Sequence, residues 1–150
     1  MILDSQLRLS PSCKLLTNYH KRQGRRPWVI CSSLTVPDDT ERQQRIEALE
    51  KAGARVVQIP PVSEPLEGAD ERLPIPAMLS TLYDLGVRSL MVEGGARVIG
   101  SFFAETASTG KPVVDTVIVT VAPTFVGAEG FGYTVQLDEV RVFRSLVLHR

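Results

Sequence analysis

Apolar positions along the 150-residue chain fall into two alternating rhythms. Short, nearly continuous apolar runs, the mark of strands buried on both faces, occur at Met1-Ile2-Leu3, Pro27-Trp28-Val29-Ile30-Cys31 and Arg55-Val56-Val57-Gln58-Ile59. Two more cover residues 87–92 and 115–121, the second rich in Val, Ile and Thr. Between these runs the spacing changes to three and four. Ile46, Leu49 and Ala52 share one face of a helix expected over residues 41–52, with Asp38, Asp39 and Thr40 as N-cap candidates and Gly53 as the stop. Pro76 suits the first turn of a helix that carries Met78, Leu82 and Leu85 on one side and ends at Gly86. Val98, Ile99, Phe102 and Phe103 form the apolar side of a further helix after Gly94-Gly95.

The remaining segments lack either rhythm. Residues 10–24 read as a loop with a helical turn around Lys14-Leu15-Leu16. Residues 60–74 hold Pro60, Pro61, Pro65, Pro74 and Gly68, so they are expected to be a loop and the place where disorder concentrates. Residues 140–149 are expected to close the fold as an added strand. The succession strand, helix, strand, helix, strand, helix, strand implies an α/β fold with a mostly parallel central sheet flanked by helices and right-handed crossovers. At 150 residues, one domain spanning residues 1–150 is the expectation.

Composition narrows the function more than the fold. Seventeen basic residues balance seventeen acidic ones, so no global field draws the protein to nucleic acid or an anionic membrane, and a small-molecule partner fits better. The basic cluster His20-Lys21-Arg22-Gln23-Gly24-Arg25-Arg26 has no interleaved aromatics and reads as a solvated loop. Cys13 and Cys31 are too few for a disulfide framework and have no paired His for zinc, so a reduced, metal-free, cytoplasmic protein is expected. No apolar run approaches the ~20 residues that span a bilayer, and Asp4 and Arg8 stand where a signal peptide would be apolar. His20 and His149 are poorly placed for a nucleophile–base pair.

Ligands of open α/β sheets sit beyond the carboxyl ends of strands, which directs attention to three segments. In Met91-Val92-Glu93-Gly94-Gly95-Ala96-Arg97-Val98-Ile99 an apolar run turns through two glycines directly into a helix. Such a turn lets a phosphate approach the backbone, where free N–H groups and the helix dipole hold it. It equally serves to tighten a corner. Glu93, at the end of the run, needs a partner to offset desolvation, either a ligand hydroxyl or a backbone amide. In Leu3-Asp4-Ser5, Ser5 could donate to a phosphate and Asp4 organise the following turn, or both could be turn chemistry alone. Val121-Ala122-Pro123-Thr124-Phe125-Val126-Gly127 could wall a pocket or simply connect.

Taken in order, Ile2-Leu3-Asp4-Ser5-Gln6-Leu7-Arg8-Leu9, Val92-Glu93-Gly94-Gly95-Ala96-Arg97, and Val114-Asp115-Thr116-Val117 with the 121–127 segment resemble the riboflavin-biosynthesis reductases. The resemblance is to the 2,5-diamino-6-ribosylamino-4(3H)-pyrimidinone 5′-phosphate reductases, the fungal type above all, and to the reductase domain of the bifunctional bacterial deaminase-reductases. It implies a dihydrofolate-reductase-like fold, NADPH as hydride donor, reduction of a ribosylamino to a ribitylamino group, and a homodimer. It also implies that Ser5 touches the cofactor, that Gly94, Gly95, Ala96, Arg97, Val98 and Ile99 bind the dinucleotide, and that Glu93 faces the phosphorylated pyrimidinone substrate. No side chain is nominated as catalytic acid or base. The family's opening strand, with Ser-Leu-Asp-Gly, and the helix and loop that follow it are not in the sequence, nor is the deaminase signature. A partial domain lacking N-terminal strands is therefore expected. An inactive nucleotide-binding or dimerisation fragment of the same fold is the alternative.

Overall fold

A computed structural model describes residues 1–33, 39–60, 73–109 and 113–120. Met1–Arg88 forms one compact unit and Ser89–Arg150 a second. The first unit is built on three parallel strands in the order β1 (Ile2–Leu3), β2 (Trp28–Ser32) and β3 (Arg55–Ile59). Ile2 lies opposite Val29 and Leu3 opposite Ile30, while Trp28 to Ser32 pair one-for-one with Arg55 to Ile59. Parallel neighbours need a crossover, and helices α1 (Lys14–His20) and α2 (Thr40–Lys51) supply it.

Side-chain alternation on β2 divides the core into two layers. Val29 and Cys31 join Leu7, Leu16, Ile46, Leu49 and Ala54 on the face covered by α1 and α2. Two crossovers of one hand between strands added in one direction both fall on the same face. Ile30 points to the other face, and α3 (Ile75–Asp84) packs on β3 with Ile75, Met78 and Leu82 buried. Because Val29, Ile30 and Cys31 are all inaccessible to solvent, β2 is a central strand covered on both sides. Each such aliphatic side chain contributes about 1.5–3 kcal/mol relative to exposure.

Local chemistry sets the helix ends. The Asp39 carboxylate accepts the Arg42 N–H at 3.0 Å, capping α2, and Glu41 in its first turn complements the helix dipole. α2 ends where the chain reverses at Gly53, whose φ of +93° lets the Ala54 N–H reach the Leu49 carbonyl at 2.9 Å. The glycine also has a steric reason, since a β-carbon there would lie 2.9 Å from the Tyr19 ring.

Several sequence expectations need revision. α1 runs for seven residues rather than a turn, because Leu16 is drawn into the core and the Thr17 hydroxyl donates to the Cys13 carbonyl at 3.1 Å. The basic cluster after it is not merely solvated: His20 Nε2 bonds the Ala52 carbonyl at 2.9 Å, and Arg26 donates to the carbonyls of Gly53 and Ala54. These side-chain donors thus satisfy acceptors left by the end of α2.

The second unit holds α4 (Ala96–Thr109), with Phe102 buried as the periodicity requires. Neither expected strand is present there among the described residues, over 87–92 or over 115–120. Met91 is 71% exposed, and Val117, Ile118 and Val119 are exposed as well. Strand propensity reflects fit to a half-buried pleated surface, so apolar content alone does not make a ladder. The strand expected at 140–149 and most of the 60–74 loop, residues 61–72, lie outside the described residues.

Gly53→Ala is expected to destabilise the protein by at least about 1–2 kcal/mol, the cost of a left-handed β-carbon alone. Urea unfolding followed by circular dichroism measures it; an unchanged midpoint would show that the Tyr19 contact and the positive φ both relax.

Candidate functional site

At the carboxyl ends of β1 and β2 the ladder runs one step past the strands, because the Asp4 N–H donates to the Ile30 carbonyl at 2.9 Å. Asp4 then turns the chain. Its carbonyl accepts the Leu7 N–H at 3.1 Å and its buried carboxylate accepts the Leu9 N–H at 2.7 Å. These bonds hold Leu7 at a φ of +55°, a left-handed conformation unfavourable for leucine, while its side chain enters the core. Asp4 is therefore the organiser of the turn, as one of the sequence readings had it.

Ser5 lies on this turn, half-buried, and its carbonyl accepts from Arg42 Nη2 at 2.7 Å. The same nitrogen donates to the Ser32 carbonyl at 2.6 Å, at the end of β2. Arg42 thus joins two adjacent strand ends from the first turn of α2. Burial raises the Cys31 thiol above its usual pKa and the Asp4 carboxylate adds to the rise, against the opposing pull of the Arg42 guanidinium. Among the described residues no group of His, Cys, Asp and Glu is arranged to hold a metal, and no helix is long and apolar enough to cross a membrane.

Arg42 and Cys31 were not singled out as site residues from the sequence. Glu41-Arg42-Gln43-Gln44-Arg45 reads as a solvated helix face. The available signal was spacing: position 42 precedes Ile46 by four and Leu49 by seven, which puts an arginine on the apolar stripe.

Glu93, Gly94, Gly95, Ala96, Arg97, Val98 and Ile99 belong to the second unit. Gly94 adopts a φ of +151° and would bring a β-carbon only to ordinary contact with Val98, so backbone conformation explains this glycine. Gly95 is different. Its φ is not positive, and a β-carbon there would meet nothing within 4 Å. It precedes the first residue of α4, and its carbonyl accepts the N–H groups of Val98 at 3.1 Å and Ile99 at 3.3 Å. At this N-cap position Ser, Thr, Asp or Asn would close the first-turn amides with a side-chain oxygen; glycine has none to offer. Glycine is also one of the residues favoured at an N-cap, so helix capping alone accounts for Gly95, as backbone conformation does for Gly94; among the described residues no side chain is seen to cap the exposed start of this fourteen-residue helix. Glu93 is exposed and ends no strand, so the desolvation argued from sequence does not operate on it here. The 121–127 segment lies outside the described residues.

Comparison with known proteins adds a family to this geometry. The family model of the RibD C-terminal domain matches residues 1–146. The chain is 29% identical over 121 residues to the 2,5-diamino-6-ribosylamino-4(3H)-pyrimidinone 5′-phosphate reductase of Debaryomyces hansenii, covering 75% of this chain and 44% of that protein. It is 30% identical over 137 residues to the riboflavin biosynthesis protein RibD of Bacillus amyloliquefaciens, covering 87% and 31%. With the reductase of the same name from Aquifex aeolicus the identity is 28% over 137 residues, covering 78% and 57%. The matches thus span roughly a third to just over half of these relatives' length. No solved structure matches the chain at comparable significance.

The contrast between the two thiols is open to measurement. Cys31 is buried and its thiol holds its proton, whereas Cys13 is half-buried beside α1. Since the thiolate is the nucleophile, an alkylating reagent is expected to modify Cys13 in the native protein and Cys31 only in denaturant, as read by peptide mass spectrometry. Equal native rates would mean that the carboxyl end of β2 opens readily.

Proposed function

The chain belongs to the RibD C-terminal domain family, and from that membership we propose that it serves NADPH-dependent reduction of 2,5-diamino-6-ribosylamino-4(3H)-pyrimidinone 5′-phosphate to the ribitylamino product in riboflavin biosynthesis. Two of its relatives carry the name of that reductase. The observation that supports a dinucleotide most directly is the uncapped start of α4 at Gly95. The N–H groups of Ala96 and Arg97 have no intrahelical acceptor by geometry, and with the helix dipole behind them they hold a pyrophosphate. Val98 and Ile99, half-buried in the next turn, support that grip; within the first unit, Ser5 at the end of β1 is a separate candidate contact to the cofactor.

When bound, reduced nicotinamide supplies a hydride to the imine carbon of the ring-opened ribosylamine. The work left to this chain is to bind, orient and exclude water. Glu93, with an exposed carboxylate, accepts hydrogen bonds from substrate hydroxyls and orients the sugar. The imine nitrogen also takes up a proton, and no side chain among the described residues is assigned as its donor. A cytoplasmic homodimer fits a small-molecule biosynthetic role. The exposed Val117, Ile118 and Val119 favour a second reading, in which the chain binds nucleotide or a partner and does not turn over.

A Gly95→Asp variant separates binding from stability. Its carboxylate would cap α4 and leave stability unchanged or raised by a few tenths of a kcal/mol, roughly the margin between these residues at an N-cap. It would also occupy the amides and repel phosphate, so NADPH affinity is expected to fall at least about tenfold, equivalent to ~1.4 kcal/mol. Binding is read by the dinucleotide's own fluorescence. NADPH oxidation with the pyrimidinone then distinguishes the reductase from the silent binder. A wild-type chain with no NADPH affinity would overturn both.

A further inference from the structure

We propose that Arg42 is a positioning residue of the dinucleotide site, a clasp that fixes Ser5 against the end of β2. The inference rests on the reading of Ser5 as a cofactor contact. The geometry behind it is the single Nη2 atom that donates to the Ser5 carbonyl at 2.7 Å and to the Ser32 carbonyl at 2.6 Å. β1 is only two residues long and, among the described residues, pairs with β2 alone, its last ladder bond being the one from the Asp4 N–H. Beyond that bond no ladder among the described residues holds Ser5. The Asp4 turn ties the chain again at Leu7 and Leu9, so Ser5 sits on an arc anchored at its ends and, at its own carbonyl, by Arg42.

Packing does not account for an arginine at this place. Position 42 continues the stripe of Ile46 and Leu49, where an apolar side chain would pack but would leave the Ser5 and Ser32 carbonyls without this donor. The guanidinium is seated even though its Nε is buried without a partner, an arrangement that opposes folding. What the arginine supplies, and an apolar residue does not, is a charged donor reaching two strand ends at once. Its own backbone is fixed in turn by the Asp39 carboxylate, so the clasp is anchored on a capped helix. The residue acts on the ligand through Ser5.

Arg42→Met tests this in the full chain, since methionine fills the stripe and removes the donors. The thermal midpoint is expected to stay near that of the wild type while NADPH binds at least about tenfold more weakly, a loss of ~1.4 kcal/mol. Arg42→Lys, with one cationic nitrogen able to reach the carbonyls, is expected to recover part of the affinity. In the Ser5→Ala/Arg42→Met double variant the loss is expected to fall short of the product of the single losses, because both act on one contact. Wild-type affinity in folded Arg42→Met, or full additivity, would overturn the clasp. Amide exchange gives a readout without cofactor: residues 4–7 and 32–33 should exchange at least about tenfold faster in Arg42→Met, with Val56 and Val57 unchanged. Exchange raised throughout the chain, or nowhere, would overturn it too. If Arg42→Met does not fold, Arg42→Lys decides by the same two readouts. Should the wild type bind no NADPH, the cofactor role of Ser5 falls with it, and exchange alone decides whether Arg42 holds the strand ends.

Discussion

A parallel strand covered on both faces has no solvent to fall back on, so every backbone group along it must find its partner in the neighbouring strands. β2 is such a strand, and the first unit is arranged around that requirement. β1 and β3 take up its hydrogen bonds, α1 and α2 close one face, and α3 covers β3 on the other. The ladder must nevertheless stop somewhere. At its carboxyl end the pairing stops within reach of Asp4 and Arg42, which take over the polar groups that the sheet no longer satisfies.

The two candidate segments use opposite means. The end of β1 is crowded with partners: a buried carboxylate, a guanidinium shared by two carbonyls, and a leucine held at positive φ. The start of α4 is conspicuous for a missing side chain, since Gly95 closes none of the amides behind it. The polar groups at the end of β1 are partnered, whereas glycine adds no side-chain partner at the start of α4.

Legibility in the sequence followed how local the determining interactions are. β2, β3 and α2 could be read from residues 28–59 because apolar runs, cap residues and Gly53 act over a few positions. α1 was underestimated because Leu16 is stabilised by residues distant in sequence, among them Val29 and Leu49. The runs at 87–92 and 115–120 were read as strands on propensity alone, and propensity is silent about whether an edge is available. Arg42 was hidden by its neighbours: among Glu41, Gln43, Gln44 and Arg45 a charged residue looks like surface, and only its register with Ile46 and Leu49 marks it. Ser5 and the glycines were nominated by their place after apolar runs, and their proposed roles came from the resemblance that the order of the motifs carries.

The sheet of the first unit has two unlike ends. At the amino end, His20 and Arg26 take the last carbonyls around α2, and the Arg55 guanidinium lies 4.1 Å from the centre of the Trp28 ring. The carboxyl end, with Ser5, Ser32 and Arg42, lies four residue steps further along β2, or roughly 13 Å. That exceeds the ~8 Å over which salt screens exposed charges under physiological conditions. The protein is thus partitioned electrically as well as structurally. Charges at the amino end can be gained, lost or exchanged over generations, tuning how firmly the chain holds together in a hotter or saltier setting, with little change in the potential at the other.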